Sequence, residues 1–341
     1  MVRAALMVAA LLGACAEESP SPVVVLYTSA DDTISRIVID AFEAESGVRV
    51  RALGDTEATK TTGLVQRLRQ EHAQGRARAD VFWSSEVFLT ARLAREGVLA
   101  PMDSAVAPGW PAGWRDPEGR WIGFAVRARV IVYNTDALGP ADAPTRVADL
   151  ASERFRGRIA VARPEFGTTR GHLAALLAEW GETTYSGWLN ALADLDVILV
   201  DGNSAVVRAV ASGRATVGLT DTDDVRAGRR NGWPVAMRLV RDGRPGSADP
   251  GEPLLIPNTA ALVAGAPHPD EAARLIAFLV SERVERLLAE SPSATAPVRP
   301  SLRAEYADRV APIVVRTPPG VSAALDVMDR AIALARQAWG S

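Results

Sequence analysis

The chain has 341 residues, of which 48% are hydrophobic and 23% charged, with a formal net charge of -3. That is enough chain for one large domain or two ordinary ones, and the composition is globular, not disordered. The balance of charge excludes the basic character of a nucleic-acid binder. Lysine catalysis is nearly excluded because Lys60 is the only lysine, and disulfides and thiolate metal sites are excluded because Cys15 is the only cysteine.

Arg3 precedes an apolar run, Ala4 to Leu12, that ends in Leu12-Gly13-Ala14-Cys15. The run is too short to span a bilayer and suits a signal-peptide core. Leu-Gly-Ala-Cys resembles the lipobox of bacterial lipoproteins. That likeness implies a signal peptide over residues 1–14, lipidation of Cys15, and a Pro/Ser-bearing linker through residue 22. An ordinary secretory signal cut elsewhere is the alternative. No other run approaches transmembrane length, so the expectation is an exported, soluble protein tethered by lipid.

Val23 to Tyr27 is a continuous apolar strand of the buried parallel type. A loop with Asp31 and Asp32 follows, then a helix ended by Gly47. Val48 to Leu53 alternates as a strand, and a helix is expected from Thr62 to His72. Ala79 to Trp83 is a third strand, followed by Ser84-Ser85-Glu86 and a helix over 87–96. This βαβαβα order argues a parallel sheet with helices on both faces. Pro101 to Gly119 reads as a structured loop. Two apolar strands then flank Arg127-Ala128-Arg129, and a second βα set begins. Its strands are Ile159–Ala162, Val197–Val200, 215–219 and Val235–Val240. One helix opens at Gly167-Thr168-Thr169, and Asp201-Gly202-Asn203-Ser204 is a capped turn before a helix over 205–211. Leu254 to Val263 reads as a strand returning to the first sheet. Helices over 269–279, 282–290 and 321–339 close the chain.

Gly218 to Val225 places Asp221, Asp223 and Asp224 at the C-terminal end of an apolar strand. In open α/β sheets that edge is where ligands bind. Three carboxylates within four residues repel one another and need a cation, arginine partners or a solvated loop. Arg127 and Arg129, two apart on a strand, share one face, and their forks suit a carboxylate, phosphate or carbonate. Interlobe pairing with those aspartates is the competing use. Thr168, Thr169 and Asn203 open helices, whose N-termini attract anions; plain capping is the alternative. His72, His172 and His268 are scattered and form no zinc motif, though His172 follows the turn at Thr168. Trp83 and Trp121 suit core packing better than a cleft wall.

The segments Val24-Val25-Leu26-Tyr27-Thr28-Ser29, Ala79-Asp80-Val81-Phe82-Trp83, Arg127 to Asn134, Glu165-Phe166-Gly167-Thr168-Thr169, Asp201-Gly202-Asn203-Ser204 and Gly265 to Ala273, in that order and spacing, resemble the periplasmic solute-binding proteins of ABC importers, in the two-lobed ferric-iron-binding branch. The resemblance covers about residues 22 to 300. It implies two α/β lobes, with mostly parallel sheets, joined by a hinge. The first lobe would hold residues 23–125 and regain the chain at 251–341, and the second would hold 126–250. It also implies a monomeric binding protein without catalysis or cofactor, serving a permease and an ATPase. A lipoprotein that senses solute for a receptor is an alternative.

By resemblance, Asp31 stands where a ligand follows the first strand, Glu86 lies one residue from the glutamate position, and Arg127 and Arg129 match the anion-side arginines. The tyrosine pair of the iron binders is missing, with Thr222-Asp223-Asp224 in its place. Asp31, Glu86, Asp223 and Asp224, with Asp221 beside them, make an all-oxygen set suited to a hard cation. Asp31 equally suits capping of the first helix. Ferric ion with a companion anion is the expected solute, and an organic zwitterion such as an amino-phosphonate or polar amino acid is the alternative. Asp221-Thr222-Asp223-Asp224-Val225 also resembles the signature of haloacid-dehalogenase-type phosphatases. That would make Asp221 a nucleophile and Asp223 an acid/base with Mg²⁺.

Overall fold

A computed structural model describes residues 22–54, 61–310 and 320–340. Cys15, the signal segment and Lys60 lie outside the described residues. Among the described residues no helix is long and apolar enough to cross a membrane.

The first βα set comprises β1 (Val23–Thr28), α1 (Asp32–Ser46), β2 (Arg49–Gly54), α2 (Thr62–Ala73), β3 (Val81–Ser84), α3 (Phe88–Arg95) and the short β4 (Leu99–Ala100). The long β5 (Ile122–Asn134) leads to β6 (Ile159–Ala162), α4 (Gly167–Trp180), α5 (Glu182–Asp194), β7 (Ile198–Val200), α6 (Asn203–Ala211), β8 (Val217–Asp221), α7 (Thr222–Arg230) and β9 (Val235–Leu239). The chain ends with β10 (Leu255–Val263), α8 (Pro269–Leu279), α9 (Glu282–Glu290), α10 (Pro300–Glu305) and α11 (Val321–Trp339). Gly47 closes α1 with a left-handed φ of 70° and donates to the Glu43 carbonyl at 3.0 Å, a conformation glycine reaches without Cβ strain.

Strand order is β2-β1-β3-β10-β5-β8-β6-β7. β1 pairs parallel with β2 and β3, and β6 pairs parallel with β7 and β8. β10 and β5 run antiparallel between these two parallel cores. All residues of β5 are buried, Arg127 and Arg129 included, so the two apolar runs and the arginine segment between them form one strand. Its first half pairs with β10 and its second half with β8 and β9, so one strand belongs to both lobes. A bulge falls at the crossing. The β10 register shifts between Pro257 and Asn258, Ala125 takes φ 47°, and Asn258 Nδ2 donates to the Ala125 carbonyl at 2.8 Å. Such bulges re-aim side chains near sites, and the residues just past it are Arg127 and Arg129.

Trp83 and Trp121 are core residues, 0% and 5% exposed. α11 packs its stripe Ala324, Met328, Ala331 and Ala335 into the same core as Leu173 and Ala174 of α4 and Leu189 of α5. It reaches α3 of the first lobe through the ion pairs Arg92–Asp329 at 2.9 Å and Arg95–Asp326 at 2.7 Å.

Candidate functional site

Every βα turn bordering the interlobe cleft leaves a strand at its C-terminal end, where free helix N–H groups converge. The cleft encloses about 340 Å³. From the first lobe, the β1–α1 turn brings Asp31 and the β3–α3 turn brings Glu86. From the second, the N-termini of α4, α6 and α7 bring Thr168, Asn203 and the Asp221–Asp224 stretch. Arg127 lines the wall beside the hinge.

Asp221 is the most heavily engaged of these groups. Its Oδ1 accepts from Arg129 Nη1 at 2.8 Å. Its Oδ2 accepts from Arg127 Nε at 3.1 Å, Thr168 Oγ1 at 2.8 Å and Asn203 Nδ2 at 3.0 Å. Burial alone would raise its pKa, but the Arg129 and Arg127 guanidiniums outweigh burial and hold it below the usual carboxylate range. Asp221 therefore anchors three cleft elements together. Asp223 and Asp224, both partly exposed, occupy the first turn of α7, where the helix dipole favours negative charge. Asp223 Oδ1 lies 3.7 Å from Arg127 Nε, and Thr220 Oγ1 donates to Asp224 Oδ2 at 3.3 Å. One carboxylate oxygen from each of Asp221, Asp223 and Asp224 falls within 4.8 Å of the others.

Arg127 is 8% exposed. Burial pulls its pKa down, yet Asp223, Asp221 and Asp224 together hold it above the ordinary arginine value. Its Nε is taken by Asp221, while no hydrogen bond engages its two Nη groups among the described residues. That fork is left to the cleft. Arg129, fully buried, stands behind the wall. Its Nη1 donates to Thr168 Oγ1 at 3.0 Å and Asn203 Oδ1 at 3.2 Å, and its Nε to His172 Nδ1 at 3.3 Å. Arginine can only donate, so the ring proton of His172 sits on Nε2, facing Asp242 Oδ1 at 3.0 Å. Asp242 Oδ2 in turn accepts from the Leu254 amide at 3.2 Å. A buried polar chain thus runs from the cleft to the connection that re-enters the first lobe.

Glu86 lines the cleft, but its carboxylate caps α3. Oε2 accepts from the Phe88 amide at 2.7 Å and Oε1 from the Leu89 amide at 3.0 Å. Burial pushes its pKa up, against the pull of Arg170, the two amides and Arg127. Asp31 is exposed at the rim and holds the N-cap position of α1, where its backbone carbonyl accepts from Ile34 and Ser35. Thr169 does not line the cleft; its hydroxyl is buried without a hydrogen-bond partner among the described residues.

Of the residues singled out from sequence, the structure gathers Asp31, Glu86, Arg127, Thr168, Asn203, Asp221, Asp223 and Asp224 around one cleft. Sequence reasoning missed Asn258 and Thr295, which close the cleft from the first-lobe return. The Thr295 hydroxyl is buried with no partner among the described residues. Neither sits in a motif, and only the β10 register reveals Asn258. Tyr27, Tyr133, Tyr185 and Tyr306 are the four tyrosines, and none lines the cleft.

The sequence profile of the bacterial extracellular solute-binding proteins matches residues 77–312. The chain is 31% identical over 198 residues to the Fe(3+)-binding periplasmic protein of Serratia marcescens, covering 58% of this chain and only 56% of that one. It is 25% identical over 295 residues to iron uptake protein A1 of Synechocystis, covering 82% and 80%. Iron-bound HitA from Pseudomonas aeruginosa superposes with a TM-score of 0.77 at 22% identity over 93% of this chain and 99% of that one. The ferric binding protein from Campylobacter jejuni superposes with a TM-score of 0.78 at 20% identity over 92% and 99%. With the profile spanning most of the chain and the two-lobed architecture shared, this protein belongs to the family of bacterial extracellular solute-binding proteins.

Proposed function

We propose that the chain captures ferric ion with a companion anion in the interlobe cleft and delivers it to the permease and ATPase of an importer. It would do so as a monomer anchored outside the cytoplasm by lipid on Cys15. The observation that carries this is the carboxylate cluster Asp221, Asp223 and Asp224 within 4.8 Å, set beside the open fork of Arg127. Oxygen-only ligands suit a hard, highly charged cation. Asp221 is committed to its four donors, so Asp223 and Asp224 offer ligands from the second lobe and Asp31 from the first. The Arg127 Nη groups and the N-termini of α4 and α6 would hold the anion. The Fe(3+) binding named for the Serratia relative and the iron uptake named for the Synechocystis one support the reading. Closure would turn on β5 and the 240–254 connection.

No chemistry is required of the site. A phosphohydrolase would need Asp221 as a free nucleophile, and two arginines, Thr168 and Asn203 occupy its oxygens.

The absence of tyrosine from the cleft favours one second reading, a zwitterion whose ammonium faces Asp223 and Asp224 and whose acid faces Arg127. Thermal unfolding of the chain from Ala16 onward separates the two. A ligand at a thousand times its dissociation constant adds about 4 kcal/mol. Ferric citrate should raise the melting temperature, and Asp223→Asn with Asp224→Asn should abolish the rise. A shift with an amino-phosphonate and none with metal would replace iron by the zwitterion. A shift unchanged in the double variant would remove the site from this cleft.

A further inference from the structure

A second cavity of about 340 Å³ lies beside the cleft, where α2 and α3 of the first lobe face α4 and α11. Arg69, Arg92, Arg170 and Arg336 line it, with Glu165 and Asp329. Three of the arginines have acidic partners. Arg69 grips Glu96 with both Nε and Nη2, at 2.6 and 2.7 Å. Arg92 grips Asp329 twice at 2.9 Å. Arg336 Nη2 lies 3.7 Å from Glu165 Oε1. Arg170 is the fourth, and it is 9% exposed. Its Nη2 donates to Thr62 Oγ1 at 3.2 Å and to the Glu165 carbonyl, but no carboxylate pairs with it among the described residues.

A buried guanidinium without a counter-ion is costly. Burial lowers the Arg170 pKa. The charges of Glu86 and Glu165 pull it back up, while Arg92 and Arg69 lower it further. The cavity lining thus sets four guanidiniums, from both lobes, against the carboxylates of Glu165 and Asp329. Bidentate guanidiniums match tetrahedral and planar oxyanions.

We propose that this cavity is a second binding site, distinct from the solute cleft, for a small multiply charged oxyanion of the phosphate type, which ties Arg69 and Arg92 of the first lobe to Arg170 of the second. An anion held there counters Arg170 and favours the lobe arrangement seen here. The proposal does not depend on the identity of the cleft solute.

The test is calorimetric titration of inorganic phosphate into the metal-free chain from Ala16 onward, as wild type, as Arg69→Gln with Arg92→Gln, and as Arg127→Gln. Phosphate binding should survive in Arg127→Gln and weaken at least ~10-fold in the Arg69/Arg92 variant. Both substituted cavity side chains are partly exposed, so the fold should persist. If circular dichroism shows otherwise, Arg336→Gln at the rim takes its place and should weaken binding likewise. Binding abolished by Arg127→Gln alone would assign all phosphate to the cleft and overturn the second site. So would binding unchanged in the cavity variants, or none in the wild type.

Discussion

Arg129 Nη1 meets Asp221 Oδ1 at 2.8 Å with the two side chains 0% and 1% exposed. The pair closes the second half of β5 against the end of β8, and Thr168 and Asn203 bind both partners. Removing one member of a buried pair strands the other's charge, which costs about 3–5 kcal/mol. Asp221→Asn should therefore lower the urea-unfolding free energy by roughly that amount, and weaken solute binding because α4 and α6 lose their shared anchor. Urea titration with and without solute measures both effects.

Gly171 of α4 carries a second constraint across the lobes. A Cβ built there would lie 2.0 Å from the Phe88 ring at the start of α3. Alanine normally strengthens a helix interior by about 1 kcal/mol over glycine. Here overpacking costing about 1–3 kcal/mol should reverse that sign. Gly171→Ala should lower the melting temperature, and the same change in a Phe88→Ala background should not. A double-mutant cycle isolates the contact.

β1 and β3, with near-continuous apolar runs, were legible because a strand buried on both faces is largely apolar. α11 was legible from its amphipathic period. α5 was not, since Glu182-Thr183-Thr184-Tyr185-Ser186-Gly187 carries β-branched, hydroxyl and glycine residues of weak helix propensity, and burial of Tyr185, Trp188 and Leu189 decides the matter. The cleft residues were legible because strand ends could be placed. Their engagements were not. Asp221 and Arg129 meet 92 positions apart, His172 and Asp242 meet 70 apart, and Glu86 turns its carboxylate onto its own helix. Pairing over such separations is set by sheet order, which a single sequence leaves open.

Glu86 makes stability depend on pH. Its folded pKa is raised, first by burial, above the unfolded value of about 4.3. The folded chain therefore holds the Glu86 proton more tightly than the unfolded chain does. That contribution is complete below about pH 4.3 and is lost as pH rises through the folded value. Glu86→Gln keeps a carbonyl for the Phe88 and Leu89 amides but cannot ionise. The variant's unfolding free energy should decline less than the wild type's as pH rises from the usual glutamate range toward neutrality. Parallel slopes in the two proteins would show that Glu86 does not supply this dependence.

The hold of α11 on the two lobes differs in balance. Toward α4 and α5 it is chiefly apolar, with Met328 1% exposed in the core and Tyr185 OH donating to the Ala331 carbonyl at 3.1 Å, beside an exposed Arg330–Glu182 ion pair. Toward α3 it is ionic, and the Asp329 side chain is 75% exposed where it meets Arg92. Exposed pairs are worth about 0–1 kcal/mol, whereas a buried methionine truncated to alanine costs about 2–5 kcal/mol. Met328→Ala should thus destabilise the protein severalfold more than Asp329→Ala. The same pair of variants tests which lobe α11 belongs to. Hydrogen exchange in Asp329→Ala should leave the amides of α4 and α11 protected while α3 loosens. In Met328→Ala, α11 and α4 should lose protection together, because their shared core is opened.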